Sequence, residues 1–297
     1  MSIDRRTQPD CNDEPEYLHH YTTVDALVRI VKEQELWATD IFYLNDREEF
    51  YRGLGFLRNV LQQKQEEIAT TETHGRYTWL IEELKRIGPG RSIHIHVCSF
   101  SERGDDLSQW RAYSPNGGGA AIAFRPASLR SWAEKKGLVL YRCLYDHDEQ
   151  SRRIRQIVDD VCEVPLEPVI RDQVAPDDEE RVRGEIQLNR LLLRLTCEPA
   201  AFKNKTFGAE GEWRVTYVPR LVQADKRAKI DFRCRRGMVI PYYRLQLEAN
   251  LWKDAVVWVG PSPRSKDAKA SIERLLGDHP HSLPASVRES QIPYRYW

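Results

Sequence analysis

From Tyr17 onward the chain breaks into short apolar runs whose period switches between strand and helix. Tyr17-Leu18-His19-His20-Tyr21 reads as an aromatic strand. Thr22-Thr23 stands where a helix N-cap belongs, ahead of Val24, Leu27, Val28, Ile30 and Val31 at helical spacing. Leu36-Trp37-Ala38-Thr39 predicts a second extended piece, and Tyr43-Leu44-Asn45-Asp46 a turn that caps a helix beginning near Arg47. Helical period runs to about Ile68 and again from Tyr77 to Ile87, stopping at Gly88-Pro89-Gly90, so residues 47–90 predict a helical layer. From Ser92 the period is two: Ile93, Ile95 and Val97 face one way and His94, His96 and Cys98 the other, as in a half-buried strand. Further strands are predicted at Ala120 to Phe124 and Leu138 to Tyr145. Residues 148–200 are helical and heavily charged, broken by Pro165, Pro168 and Pro176, with an apolar stripe at Leu191, Leu192, Leu193 and Leu195; they predict a helical insertion. Strands resume at Glu212 to Val218, Ile230 to Arg235, Val239 to Leu247 and Ala255 to Val259. A last helix is predicted at Lys266 to Leu276 and a short terminal strand around Ile292 to Tyr296.

Strands and helices in blocks, without strict alternation, predict an α+β fold with a mixed, mainly antiparallel split sheet. Residues 1–16 offer little to bury and are expected to form a flexible arm, with 17–297 a single domain. The 45 basic residues balance 45 acidic ones, so attraction to nucleic acid or an anionic surface would have to be local. The polar start and the lack of an apolar run of about 18 residues predict a cytoplasmic protein with no membrane partner. Six cysteines without a C-x-x-C pair argue against a zinc knuckle or a disulfide framework.

The candidate chemistry sits mainly between the strands. Cys98-Ser-Phe-Ser-Glu102, Asp106-Leu-Ser-Gln-Trp110-Arg111-Ala-Tyr113 and Gly117 to Phe124 crowd polar groups and aromatics where a packing sequence would carry turn residues. No G-x-S-x-G elbow surrounds either serine, which leaves an esterase without its turn. His19-His20 ends a strand and opens a helix, a place from which side chains enter clefts; one of the two faces the core. Asn45 and Asp46 with Glu48 and Glu49 fit a helix cap, or a cation or hydroxyl site. His94, His96 and Cys98 on one strand face resemble a metal-ligand set that still needs a partner. Glu210 and Glu212 flank Gly211 and point to one side of a strand, where they can address two hydroxyls of one sugar or pair with Lys203, Lys205 and Arg214. Lys229, Asp231, Arg233 and Arg235 alternate with Ile230, Phe232 and Cys234, giving a basic strand face suited to phosphate or RNA.

Several of these segments together resemble a known family. Leu18-His-His20-Tyr-Thr22, Leu36-Trp-Ala-Thr39, Leu44-Asn-Asp46 with Glu49, Cys98-Ser-Phe-Ser-Glu102, Leu107-Ser-Gln-Trp110 with Tyr113, Gly119 to Phe124, Glu212-Trp-Arg214, Pro241-Tyr-Tyr243 and Pro293-Tyr-Arg295 fall in the order and spacing of the bacterial domain-of-unknown-function family 2971. More distantly, a His-ending strand, a following helix, a middle strand rich in Ser and aromatics, and a late strand with E-x-E are similar to the ADP-ribosyltransferase superfamily.

That second resemblance implies NAD as substrate, bound in a cleft between two small sheets, and transfer of ADP-ribose to a macromolecule, nucleic acid or protein, in a toxin or anti-phage effector. It implies that His20 holds the adenosine-side ribose with Thr22 beside it, and that Glu212 binds the nicotinamide ribose and stabilises the oxocarbenium-like transition state. Phe100, Tyr113 and Tyr43 are the candidates for the aromatic on nicotinamide, and Arg103, Arg111 and Arg214 for the diphosphate. Two other classes stay open on the residues: a metal-dependent hydrolase or nuclease built on His94, His96 and Cys98, and a non-enzymatic nucleotide or partner sensor using the same cleft.

Overall fold

The computed structural model describes residues 14–44, 47–67, 71–113, 118–163, 191–219, 230–235, 237–280 and 283–293. Expectations for 1–13, for Asn45 and Asp46, for 164–190, for Lys229 and for 294–297 lie outside them.

The described strands form one ten-stranded sheet. Two wings meet on a central strand. One wing is β1 (Leu18–Thr23), β4 (Gly119–Phe124), β9 (Val256–Val259) and β10 (Ser286–Glu289); the other is β2 (Glu35–Asp40), β8 (Met238–Gln246) and β7 (Ile230–Arg235). Both abut β3 (His96–Ser101), whose opposite edge carries β6 (Glu212–Tyr217) and then β5 (Val139–Arg142). Among the described strands only β9 and β10 pair in parallel, so the sheet is mixed and mainly antiparallel, as the sequence predicts.

The split in this sheet lies along one edge of β3. On that edge β1 touches only at His19↔Ser101, and β2 only at Thr39↔Val97 and Asp40↔His96. Cys98, Ser99 and Phe100 have register partners in β6 but none in β1 or β2. The wings therefore fork apart at Ser99. The helix α1 (Val24–Glu33) carries the chain from one tine to the other, its start fixed by the Thr23 hydroxyl accepting from Ala26 N–H at 3.2 Å.

Alternation along β3 and β6 sends successive side chains to two separate cores. Cys98, Phe100, Trp213, Val215 and Tyr217 join the one built with α1, α5 (Pro126–Lys135), α8 (Ala249–Trp252) and α9 (Ser265–Gly277). Val97 and Val218 join the other, built with α2 (Arg47–Glu67), α3 (Thr71–Leu84), α6 (His147–Glu163) and the helical residues 191–197, α7. The expected helical layer is thus present. The described parts of the expected insertion pack into the same core, Ile154, Ile157 and Leu192 being almost fully buried beside Leu57 and Leu61. The short α4 (Leu107–Tyr113) closes a third, small cluster in which Trp110 meets Tyr21 edge-on, ring centroids 4.7 Å apart.

The boundaries differ from the periodicity in three places. The strand expected at 92–98 begins at His96: Ile93 and Ile95 are buried in the second core, but Ile93 makes only an isolated bridge with Ile87, and the Ile95 carbonyl accepts from Ile41 N–H at 2.9 Å. Apolar alternation reports burial, and a ladder needs a neighbouring strand as well. The helix α5 was not expected, although Pro126 at its first turn and Leu129, Trp132 and Ala133 on its buried side have helical spacing. The terminal strand β10 lies at Ser286–Glu289, before the expected segment.

Candidate functional site in the sheet fork

The fork opens into a cavity of about 540 Å3, inside the roughly 300–1,000 Å3 range of small-molecule sites. His20, Thr22, Phe100, Tyr113, Tyr43 and Glu212 all line it. The register sets their spacing: His19, Ser101 and Glu212 stand in one row across β1, β3 and β6, so His19 and Glu212 are about 10 Å apart at the backbone. Alternation places His20 with Phe100 on one face of the sheet, their rings 5.6 Å apart, and Glu212 with Ser101 on the other. Residues of both faces reach a single cavity because the strands part between them.

His20 sits at the apex. Its Nδ1–H donates to the Ser99 carbonyl at 3.0 Å, the acceptor at the fork. That bond assigns the tautomer, since a carbonyl only accepts. Burial lowers the imidazole's proton affinity against this bond, and nearby Arg233 lowers it further, so the ring is neutral and Nε2 is an acceptor. His19 likewise donates from Nδ1 to the Ser101 carbonyl at 3.3 Å. Its Nε2 edge is covered by Gly104, where a Cβ would lie 2.8 Å away; only glycine allows that approach. Of the pair, His19 is the buried one and His20 the more open.

Glu212 begins β6 directly after Gly211, which has φ +50° and lies so close to Glu102 that a Cβ would come within 2.5 Å of it. The Glu212 carboxylate is almost fully buried. It accepts from Arg214 Nε at 2.8 Å and from the Lys203 ammonium, while its N–H donates to the Tyr145 hydroxyl at 2.7 Å. Burial would raise its carboxyl, but Arg214 and Lys203 outweigh burial and bring it down to about 2. Lys203, itself buried, is also paired with Glu210, and its two carboxylates hold it above the usual lysine range against the effect of burial. Glu212 is an oriented carboxylate at the cavity wall, ionised at neutral pH.

The arginines expected at the diphosphate are elsewhere. Arg214 is buried behind Glu212, bonded to it and, through Nη1, to the Ala200 carbonyl at 2.7 Å. It positions the carboxylate and does not line the cavity. Arg111 projects from the exposed side of α4, and Arg103 engages its neighbours through its backbone: its carbonyl accepts from Tyr21 at 2.7 Å and its N–H donates to the Ser101 hydroxyl at 3.0 Å. Neither lines the cavity: Arg103 lies in the turn after β3, and Arg111 is on the outer face of α4, whose Gln109, Ala112 and Tyr113 do line it.

The metal set that the alternative reading places on one strand face is dispersed. His94 precedes β3 and bonds through Nδ1 to Asp40 at 2.8 Å. His96 is fully buried with neither ring nitrogen partnered, and burial, then His94, lowers it to about 4. Cys98 is buried 3.8 Å from His20 Nδ1, and desolvation pushes its thiol up to about 12. Among the described residues no three His, Cys, Asp or Glu side chains gather as a metal centre.

Residues 109–215 match the family model of DUF2971, a protein of unknown function. The match supports the family resemblance over the central part of the chain. No curated protein and no solved structure matches. The DUF2971 stretch carries Tyr113, Lys203, Glu212 and Arg214; His20, Phe100 and the basic wing β7 fall outside it. Among the described residues no helix is long and apolar enough to cross a membrane.

Proposed function

We infer that the fork cavity binds NAD and that the protein transfers ADP-ribose from it to a macromolecular acceptor. The observation that carries this reading is the meeting of His20 and Glu212 on one cavity, with His19, the neighbour of His20, about two strand spacings from Glu212 at the backbone, well within the span of a dinucleotide. Neutral His20 presents Nε2 to accept from a ribose hydroxyl, with Thr22 on the same face. Glu212, ionised at every physiological pH, is suited to accept from the second ribose and to oppose positive charge developing at its anomeric carbon. Tyr113 and Tyr43, 41% and 39% exposed, offer open rings at the lining, whereas Phe100 is packed in the first core. This favours the tyrosines for the nicotinamide. In the reaction the glycosidic C–N bond breaks, its electron pair leaves with neutral nicotinamide, and an acceptor nucleophile forms the new bond at the anomeric carbon and gives up its proton.

The test is incubation of the full chain with labelled NAD and cell lysate. Labelled macromolecule and released nicotinamide are expected, both lost in Glu212→Gln with circular dichroism and NAD affinity retained. If Glu212→Gln does not fold, Tyr113→Ala serves in its place, with turnover expected to fall. Absence of both NAD binding and product in the wild type overturns the reading.

A further inference from the structure

The far wall of the cavity carries a second arrangement that the assigned residues do not use. Arg29 on α1 and Arg233 and Arg235 on β7 all line it. Among the described residues none of the three has a carboxylate partner within salt-bridge distance. The carboxylates along the same lining are mostly committed elsewhere: Glu35 to Arg244, and Glu210 and Glu212 to Lys203. Glu33 also lines the wall and makes no ion pair with the arginines. Three of the four lining glutamates are thus held by other cations, and the three arginines keep their charges without an ion-pair partner among the described residues.

Aromatic and hydroxyl contacts hold the cations in place. Trp37 and Tyr242 stack at 4.2 Å, Arg29 lies 3.8 Å over the Trp37 ring, and Arg233 reaches both rings at 5.6 and 5.8 Å. Arg233 Nη2 donates to the Thr39 hydroxyl at 2.7 Å, which brings its guanidinium to the tine of β2 that meets β3. Its Nε is buried with no hydrogen-bond partner. Arg233 and Arg235 stand two apart on β7, and Arg29 and Arg233 share the Trp37 ring, so the three charges are neighbours; burial, then Arg235 and less strongly Arg29, depress the Arg233 guanidinium. Like charges held together at a cavity wall with a donor left over are relieved by an anion, and guanidinium forks match phosphate oxygens.

We propose that Arg29, Arg233 and Arg235 form an anion site for the diphosphate of a phosphorylated ligand, with Arg233 as the anchor beside His20. The site stands on its own geometry; assigning that diphosphate to NAD rests on the reading above. It replaces Arg111 and Arg214 in that role and divides the ligand's contacts: phosphates to the β7 wing, the reacting ribose to β6.

Calorimetric titration of the full chain with inorganic pyrophosphate, and separately with NAD, tests it. Pyrophosphate is expected to bind the wild type, more weakly as salt rises, and to lose about ten- to a hundredfold in affinity in Arg233→Gln. Arg235→Gln, at an exposed position, provides a variant that folds normally and is expected to weaken binding in the same direction. Arg264→Gln, at the N-cap of α9, is the unaffected control. Pyrophosphate binding without NAD binding keeps the anion site and overturns the NAD reading. NAD binding that Arg233→Gln and Arg235→Gln leave unchanged overturns the assignment of this site to the NAD diphosphate and keeps the NAD reading, and pyrophosphate binding that the two variants leave unchanged overturns the anion site. No pyrophosphate binding to the wild type overturns the site outright.

Discussion

The two ends of the fork cavity hold charge in opposite ways. At the β6 end Glu212 is buried, bonded to Lys203 and Arg214, and neutralised within the protein. At the β7 end Arg233 and Arg235 are partly or fully exposed, close to Arg29, and have no carboxylate within reach among the described residues. A charge already satisfied stabilises the fold and keeps its direction; a charge left uncompensated is available to a ligand. The first end is accordingly part of the folding energetics through its charges, whereas at the second Arg29 and Arg233 are held by aromatic and hydroxyl contacts and their charges stay open.

That contrast predicts a large effect first. Lys203→Met removes one cation from the buried carboxylate and is expected to destabilise the protein by about 3–5 kcal/mol, read from urea unfolding at neutral pH. A value near zero would mean that Glu212 is held by Arg214 alone. Next comes acid. The Glu212 carboxyl is depressed from 4.5 to about 2, so its contribution is fully present above about pH 4.5 and is lost as pH falls towards 2. The loss is on the order of 3 kcal/mol, and Glu212→Gln should flatten that limb.

His96 acts in the window above. Its imidazole is lowered from 6.5 to about 4 by burial, so between those values the unfolded chain binds a proton that the folded one refuses. Stability should therefore fall as pH drops from about 6.5 to 4, again by a few kcal/mol, and His96→Phe should reduce the slope, leaving the part carried by His19 and His20, which burial also lowers. A slope unchanged in that variant would locate the titration in another group. The smallest effect is expected at the open end: Arg235→Gln should change stability by no more than about 0.5 kcal/mol while weakening pyrophosphate, and a loss of several kcal/mol there would make the arginine end structural too.

Much of the site was legible before the structure. The His19-His20 step from strand to helix, the Glu210-Gly211-Glu212 alternation and the basic face of β7 were each visible as local patterns, because period and turn chemistry are properties of neighbouring residues. The misplacements share one cause. Arg111 and Arg214 were assigned to phosphate by residue type, yet Arg214 shares a strand face with Glu212 and is drawn to it, and α4 turns Arg111 outward. His94, His96 and Cys98 looked like one face, but the strand starts at His96 and Asp40 claims His94. Arg29 had no signal of its own: it is one of many arginines on a helix, and only the Trp37 ring beneath it marks it.

Taken alone, the chain determined the α+β class, most element positions, and which of its residues carry unusual chemistry, since those follow from local spacing and side-chain type. The fork was decided by tertiary structure. It exists because β1 and β2 take opposite ends of one edge of β3, a pairing between segments about 80 and 60 residues away in sequence. That pairing leaves the Ser99 carbonyl for His20, lets residues from both faces of the sheet share a cavity, and brings the arginines of β7 beside a histidine on β1.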